Sequence, residues 1–426
     1  MASGLEARGK GWRTAGGAAI LAWALLLPGA GIGAEAARDN FTLRLLPEYR
    51  IADNRSPFFE PGDDRVSSIR EDILWRHEGE LLTFQWSGMG LHREEADPVQ
   101  RGVVNELFLD RSLGEVEVTL GKKMMTYGVG HAFRPLDVIQ RERNLPLQPM
   151  ILEGVPVAAV EYYSAAGAYS AIYVHRQDED RQPYRGDASE YDLRAAFTYG
   201  PWDLCTLAHY ADATGWSLGA GFATVSGESL SFYGSLLHQQ RHRLLRSTLL
   251  EGGQLYPAPD RAPMAWREEG DALKGVAGLS WTWASGFTLI GELAYNGTAR
   301  DGDDWRDLLR LAQAQRTLME QPGMDPRPLA AALQAEGAAL SQADFVRQAL
   351  FLRLSYDGDK LDPRLDLLHS PDAGGGFVTA HLDMEAGNRH KLALGVRHYF
   401  GGRETPFGAQ PTENQVYLSW EWAFGL

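Results

Sequence analysis

The chain has 426 residues, a formal net charge of −15 at pH 7 and a single cysteine, Cys205. Such acidity is a poor match to nucleic acid, which is held by basic patches, and one cysteine gives no disulfide framework, no Cys-x-x-Cys metal knuckle and no haem attachment. Its 47 glycines, 12 Trp, 16 Tyr and 16 Phe suit strands, tight turns and interfacial aromatic girdles.

The first element is an address. Arg8, Lys10 and Arg13 precede an apolar run from Ala18 to Leu27, Pro28 breaks it, and Ala34-Glu35-Ala36 has the small-x-small form of a cleavage site. A run of about ten residues is half of what a spanning helix needs, so residues 1–36 read as a signal peptide. The site lacks the cysteine of a lipoprotein, and the twin-arginine pattern is missing. Only a few residues separate Ala36 from Asn40, where the first strand begins, which leaves no room for the plug domain of an energised receptor.

Past that point no stretch offers about 18 consecutive apolar residues, so a membrane-embedded form has to be a closed barrel. Alternation supplies one. Val116, Val118 and Leu120 alternate with Glu117, Thr119 and Gly121; Tyr191, Leu193, Ala195, Phe197 and Tyr199 alternate with Asp192, Arg194, Ala196 and Thr198. The same period recurs at Phe287–Tyr295, Leu350–Tyr356 and Leu392–Phe400, with charges confined to the polar face. That is a lipid-facing exterior over a wet interior. Strands are expected near 40–50, 67–77, 80–90, 99–111, 115–124, 155–164, 168–177, 189–200, 202–210, 215–225, 229–240, 272–283, 286–297, 346–357, 361–369, 376–386, 389–400 and 414–425. This makes an all-β, transmembrane antiparallel barrel of about eighteen strands, sixteen at the fewest, spanning residues 37–426.

The connections separate by parity. After even-numbered strands they are two or three residues, such as Glu78-Gly79, Leu113-Gly114 and Gly200-Pro201; every long one (51–66, 125–154, 241–271, 298–345, 401–413) follows an odd-numbered strand. Short periplasmic turns and long external loops are the habit of outer-membrane barrels. Trp305–Leu340 has helical spacing interrupted at Pro322-Gly323 and Pro326, which predicts two short helices within the 298–345 external loop. The chain closes on Val416, Leu418, Trp420, Trp422, Phe424 and Leu426 at every second position. This ending resembles the closing strand of a Gram-negative outer-membrane barrel, and implies the bacterial outer membrane as location.

The run Gly121–Arg143 falls in the third external loop, a placement that resembles the general porins, whose third loop narrows the lumen. By that likeness 125–154 is a candidate constriction loop. Lys122, Lys123, His131, Arg134, Arg141 and Arg143 would set a positive field, opposed by Asp137 and Glu142, since charged rings at a constriction select by charge. Gly128 and Gly130 would free the backbone to turn. Its Tyr-Gly-x-Gly-x-x-Phe-x-Pro-x-Asp core is similar to a motif of large barrels of the alginate-export kind, which implies passage of an organic solute or polymer. On the strands, Arg194, Glu292, Arg353, Asp357, His381, Asp383, Lys391 and Arg397 form a candidate mixed-sign lumen wall.

Signs of enzymatic chemistry are weak. The nucleophile elbow, the His-Glu-x-x-His helix and the phosphate loop are all missing. His238 and His242 suit a solvated basic patch better than a metal, and His209 with Ser217 or Ser231 makes a lipase dyad only on paper. The expectation is a non-enzymatic channel, without cofactor, for a hydrophilic or amphipathic solute or polymer. Its rivals are a scaffold of an export complex with a plugged lumen and, further off, a lipid-modifying enzyme. Expected partners are outer-membrane lipid and lipopolysaccharide, the barrel-assembly machinery and a periplasmic exporter component.

Overall fold

The computed structural model describes residues 38–425 except 53–55, 60–64, 95, 141–146, 148–150, 177–187, 259–260 and 343–344. The expected signal peptide, 1–36, lies outside the described residues. In chain order the strands are β1 (Arg38–Ala52), β2 (Arg65–Glu78), β3 (Leu82–Arg93), β4 (Val99–Leu113), β5 (Val116–Lys123), β6 (Val155–Ser164), β7 (Gly167–Arg176), β8 (Ala188–Tyr199), β9 (Trp202–Ala211) and β10 (Gly215–Ser226). They continue as β11 (Leu230–Gln239), β12 (His242–Ser247), β13 (Met264–Glu269), β14 (Ala272–Thr282), β15 (Phe287–Asn296), β16 (Gln348–Tyr356), β17 (Leu361–His369), β18 (Gly376–Glu385), β19 (His390–Phe400) and β20 (Thr412–Gly425).

Eighteen of these form one antiparallel sheet, and β1 pairs with both β2 and β20, so the sheet closes on itself. Closure leaves no unpaired edge, which is the condition for a sheet to cross lipid. The remaining two, β12 and β13, pair only with each other. This hairpin lies inside the expected 241–271 loop and was not foreseen. Its first strand, His-Arg-Leu-Leu-Arg-Ser, sets two leucines side by side and so hides the period of two.

The barrel is patterned opposite to a water-soluble core. Leu193 is 60% exposed on the outer face of β8 while its neighbour Asp192 is 1% exposed within. Leu120, Leu218, Leu236, Leu293 and Leu418 are likewise exposed, and Asp72, Glu106, Thr119, Glu190, Glu292, Asp366 and Arg397 are buried. In lipid that arrangement satisfies both faces. Aromatics gather at both ends of the outer face: Phe41 stacks between Trp75 and Phe424 at 5.8 and 5.4 Å near the short turns, and Tyr210 meets Trp216 at 5.2 Å near the opposite rim. Rings of this kind suit the headgroup level. Where β1 meets β20, Arg44 donates to Glu421 at 2.6 Å and lies 3.8 Å from Asp72, tying three strands from inside.

One rim carries only turns of two to four residues, and each connection of more than five residues leaves the other, together with the shorter links 94–98 and 212–214. Gly114 and Gly200 take φ of 70° and 57° in two of the turns, a conformation glycine adopts without penalty. At the external rim the helices are α1 (Thr248–Gly252), α2 (Gly302–Met319) and α3 (Pro326–Gly337). Asp301 caps α2 by accepting from the Asp304 N–H at 2.8 Å, and Asp325 with Pro326 starts α3. Trp305, Leu308, Leu309, Ala312, Leu333 and Leu340 pack with Phe58, Ala373 and Ala409 from three other external connections. The loop insertions thus share a small apolar core of their own, here called the cap.

Candidate functional site

Strand register decides which side chains reach the lumen. Arg194, Glu292, Arg353, His381, Asp383, Lys391 and Arg397 occupy inward positions, opposite in parity to the exposed leucines beside them. Asp357 does not join them: it stands one residue past β16, exposed in a short turn. Among the wall charges, Arg353 grips Asp366 through two bonds of 2.7 and 2.9 Å, and Arg194 donates to Asp192 at 2.6 Å. His381, Asp383 and Lys391 come together, with His381 at 2.9 Å and Lys391 at 3.1 Å from Asp383, while the Tyr417 hydroxyl meets the other nitrogen of His381 at 2.6 Å. Arg397 donates to Thr379 at 2.8 Å and lies 4.0 Å over the Phe377 ring.

The connection between β5 and β6 does not stay at the rim. Met125 and Ile139 pack on Val157, Ala159, Ile172 and Val174, all inward positions of β6 and β7. The Tyr127 ring lies 3.7 Å beneath the Arg194 guanidinium of β8. Leu136 packs on Leu207 and Leu237. It reaches that depth because β10 has no side chain to meet it: a Cβ at Gly219 would stand 2.5 Å from Leu136 Cδ2, and one at Gly221 3.1 Å from Cδ1. Leu147, farther along, packs on Ala393 of β19 and Tyr417 of β20. In an eighteen-strand ring β8 and β19 are nine strands apart in either direction. One connection therefore touches opposite walls.

A carboxylate fixes its middle. Glu292, 1% exposed, accepts the backbone N–H groups of His131 (2.5 Å), Ala132 (2.9 Å) and Phe133 (3.3 Å), and the hydroxyl of Tyr233 at 2.7 Å. Hydrogen bonds to a charged acceptor are about twice as strong as neutral ones. Asp137 closes the turn by accepting from the N–H groups of Tyr127 and Gly128 at 2.5 and 2.6 Å. Gly128 and Gly130 do not take positive φ. They are needed for space instead, since a Cβ at either would stand within 2.5 Å of Arg134 Cβ or the Phe133 carbonyl oxygen.

The expected positive ring is redistributed. Lys122 shares the outward register of Leu120 and is bound to Glu153, while Lys123 points inward to Asp110 at 2.8 Å. Asp137 braces backbone rather than opposing a field. The His131 and Arg134 side chains reach solvent from the crossing segment; partial burial of the His131 imidazole, with Arg353 and Arg134 nearby, holds it below its ordinary pKa despite Glu292. Burial likewise raises the Tyr127 phenol. Arg141, Glu142 and Arg143 lie outside the described residues.

The histidine pairs separate. His238 faces outward 3.9 Å from Asp271, whereas His242, on β12, bonds the Gly270 carbonyl at 2.9 Å. His209 and Ser217 are cross-strand neighbours, with Asp192 opposite His209 on the other side. The imidazole and hydroxyl are 3% and 2% exposed, and Ser231 lies at the far end of β11. The alternation of Gly219 and Gly221 at inward positions of β10 was the available clue to a close approach; Tyr233, Leu147 and Tyr417 gave no comparable clue.

No protein-family model and no curated protein matches the chain. Among solved structures it is similar to Pseudomonas aeruginosa OccK11 (OpdR), at 10% identity over 92% of this chain and 96% of that one, with a TM-score of 0.53. It is also similar to Acinetobacter baumannii OccAB1, at 12% identity over 92% and 97% with a TM-score of 0.53. Pseudomonas aeruginosa OccK2 (OpdF) in complex with glucuronate matches at 12% over 92% and 98%, with a TM-score of 0.51. What this likeness shows is the fold, which in this chain is a closed eighteen-strand antiparallel barrel.

Proposed function

We propose that the chain is a passive outer-membrane channel for small hydrophilic solutes, without enzymatic activity, narrowed by the 124–154 connection. The observation that carries this is the crossing itself, with Tyr127 on β8 and Leu147 on β19 and β20. A segment fixed to opposite walls divides the lumen, which favours small solutes over the export of a polymer. His131 and Arg134 on that segment, facing a wall of paired charges that includes Arg353, Asp366 and Arg397, would order polar solutes by small differences of charge. The burial of His209 and Ser217 speaks against acyl transfer, because neither presents an atom to a substrate.

Planar-bilayer recording and liposome swelling on the purified full chain test this. The expected result is stepwise conductance, and swelling in a neutral hexose, an amino sugar and glucuronate but not in a polymer of several kilodaltons. Absence of both conductance and swelling would overturn it. A second reading, the plugged scaffold, draws on the apolar core of the cap. Deleting residues 303–342 separates the two: a sealed barrel begins to conduct, whereas an open one changes little.

A further inference from the structure

The cap holds an acid where none is expected. Glu336 on α3 and Gln315 on α2 are both fully buried, beside the apolar cluster of Leu249, Leu311 and Ala332. Gln315 Nε2 donates to Glu336 Oε1 at 3.4 Å and to the Leu255 carbonyl at 3.2 Å. The other oxygen of each side chain, Glu336 Oε2 and Gln315 Oε1, is buried with no hydrogen-bond partner. Buried polar atoms are nearly always paired, and two acceptors cannot pair with each other. One proton resolves both: a carboxylic acid donates through its O–H while accepting on its other oxygen, which is the complement of a carboxamide.

We propose that the external cap is a proton-operated clasp, in which the acid form of Glu336 joins α3 to Gln315 of α2 and release of its proton loosens the two helices. Deprotonation places a carboxylate among leucines and alanines, a costly burial unless a cation accompanies it. Among the described residues, the following charged groups of the surrounding elements are engaged elsewhere. Glu251 of α1 is bound to Arg267 of β13 and lies near Arg261; Glu269 of β13 and Asp304 of α2 are bound to Arg246; Arg316 of α2 donates to the Pro57 carbonyl. On α3 itself Arg327 is bound to Asp325. Burial accordingly lifts the Glu336 carboxyl to about 8, with only Gln315 opposing the rise.

The direction follows from which state holds the proton. In an opened cap the carboxyl titrates near its ordinary 4.5. Between that value and about 8 the closed cap binds a proton that the opened cap lacks, so closure weakens as pH rises through this window, by up to about tenfold per pH unit, and levels off above it.

Hydrogen–deuterium exchange of the 302–337 amides, on the full chain in lipid nanodiscs between pH 5.5 and 9, reads this apart from any channel activity. Barrel amides correct for intrinsic exchange. Wild-type cap protection should fall across the window, while Glu336→Gln should stay flat at the wild type's low-pH level. A flat wild type, or a Glu336→Gln variant with the wild-type slope, would overturn the proposal. If the Gln variant fails to form a cap, Glu336→Leu supplies the same test, because it too has no proton to lose: a retained slope refutes the clasp and a lost slope supports it.

Discussion

Two long connections leave the same rim and are fixed by different forces. The 124–154 segment enters the lumen, where apolar contacts are scattered, and is held at its centre by three of its backbone N–H groups on Glu292, which the Tyr233 hydroxyl of β11 also meets. The 297–347 segment stays outside and is held by apolar burial around Trp305, Leu308 and Leu333. Polar anchors fix position to a fraction of an ångström because their geometry is directional. Apolar burial is not directional, and here it gathers several loops into one body without prescribing an exact contact.

The contrast breaks most sharply at Glu292. Glu292→Ala leaves four neutral donors without their acceptor, at about 1–3 kcal/mol for each one that stays buried. Release of the crossing segment should appear as larger, noisier single-channel steps, while heat-modifiable migration of the barrel on gels stays normal. Leu309→Ala, at a fully buried cap position, should cost about 2–5 kcal/mol. Limited proteolysis should then cut within 303–342 far faster, with single-channel conductance nearly unchanged. Gly219→Val puts a side chain where Leu136 now lies, a crowding cost of about 1–3 kcal/mol, and conductance should again report it, midway between wild type and Glu292→Ala. Arg134→Ala removes an exposed charge whose ion pair with Asp137, at 3.9 Å, is worth about 0–1 kcal/mol. Its effect should be confined to ion selectivity, read as a shifted reversal potential in a salt gradient. The gentlest probe is acid. Because the folded His131 has a lowered pKa, its contribution to placing the segment is present above its ordinary 6.5 and is lost as pH falls below it. Conductance noise should rise on acidification, and less so in His131→Gln.

The barrel was legible because lipid reverses the usual pattern and leaves it regular. Each of the eighteen expected strands overlaps an observed one, and 155–164 and 361–369 coincide with β6 and β17 residue for residue. Pro322-Gly323 and Pro326 likewise marked the break between α2 and α3. The site was legible only in outline. The sequence pointed to the 125–154 connection as a run of charges, whereas its placement depends also on uncharged contacts, Leu136 against two glycines and Leu147 against Tyr417, that join residues far apart in the chain. Glu292 was expected as one wall charge among several. Its partners are backbone N–H groups, which every residue but proline carries, so composition could not single it out. The β12–β13 hairpin escaped because its strands are short and its apolar residues adjacent.

The crossing of the lumen can be tested directly by joining its two ends. In a Cys205→Ser background, Leu147→Cys with Ala393→Cys should form a disulfide on mild oxidation, seen as altered gel mobility reversed by reductant. The linked protein should conduct as the unlinked one does, because the segment already rests on β19. Failure to link, or linkage that abolishes a previously larger conductance, would contradict a segment that spans the channel in its working state.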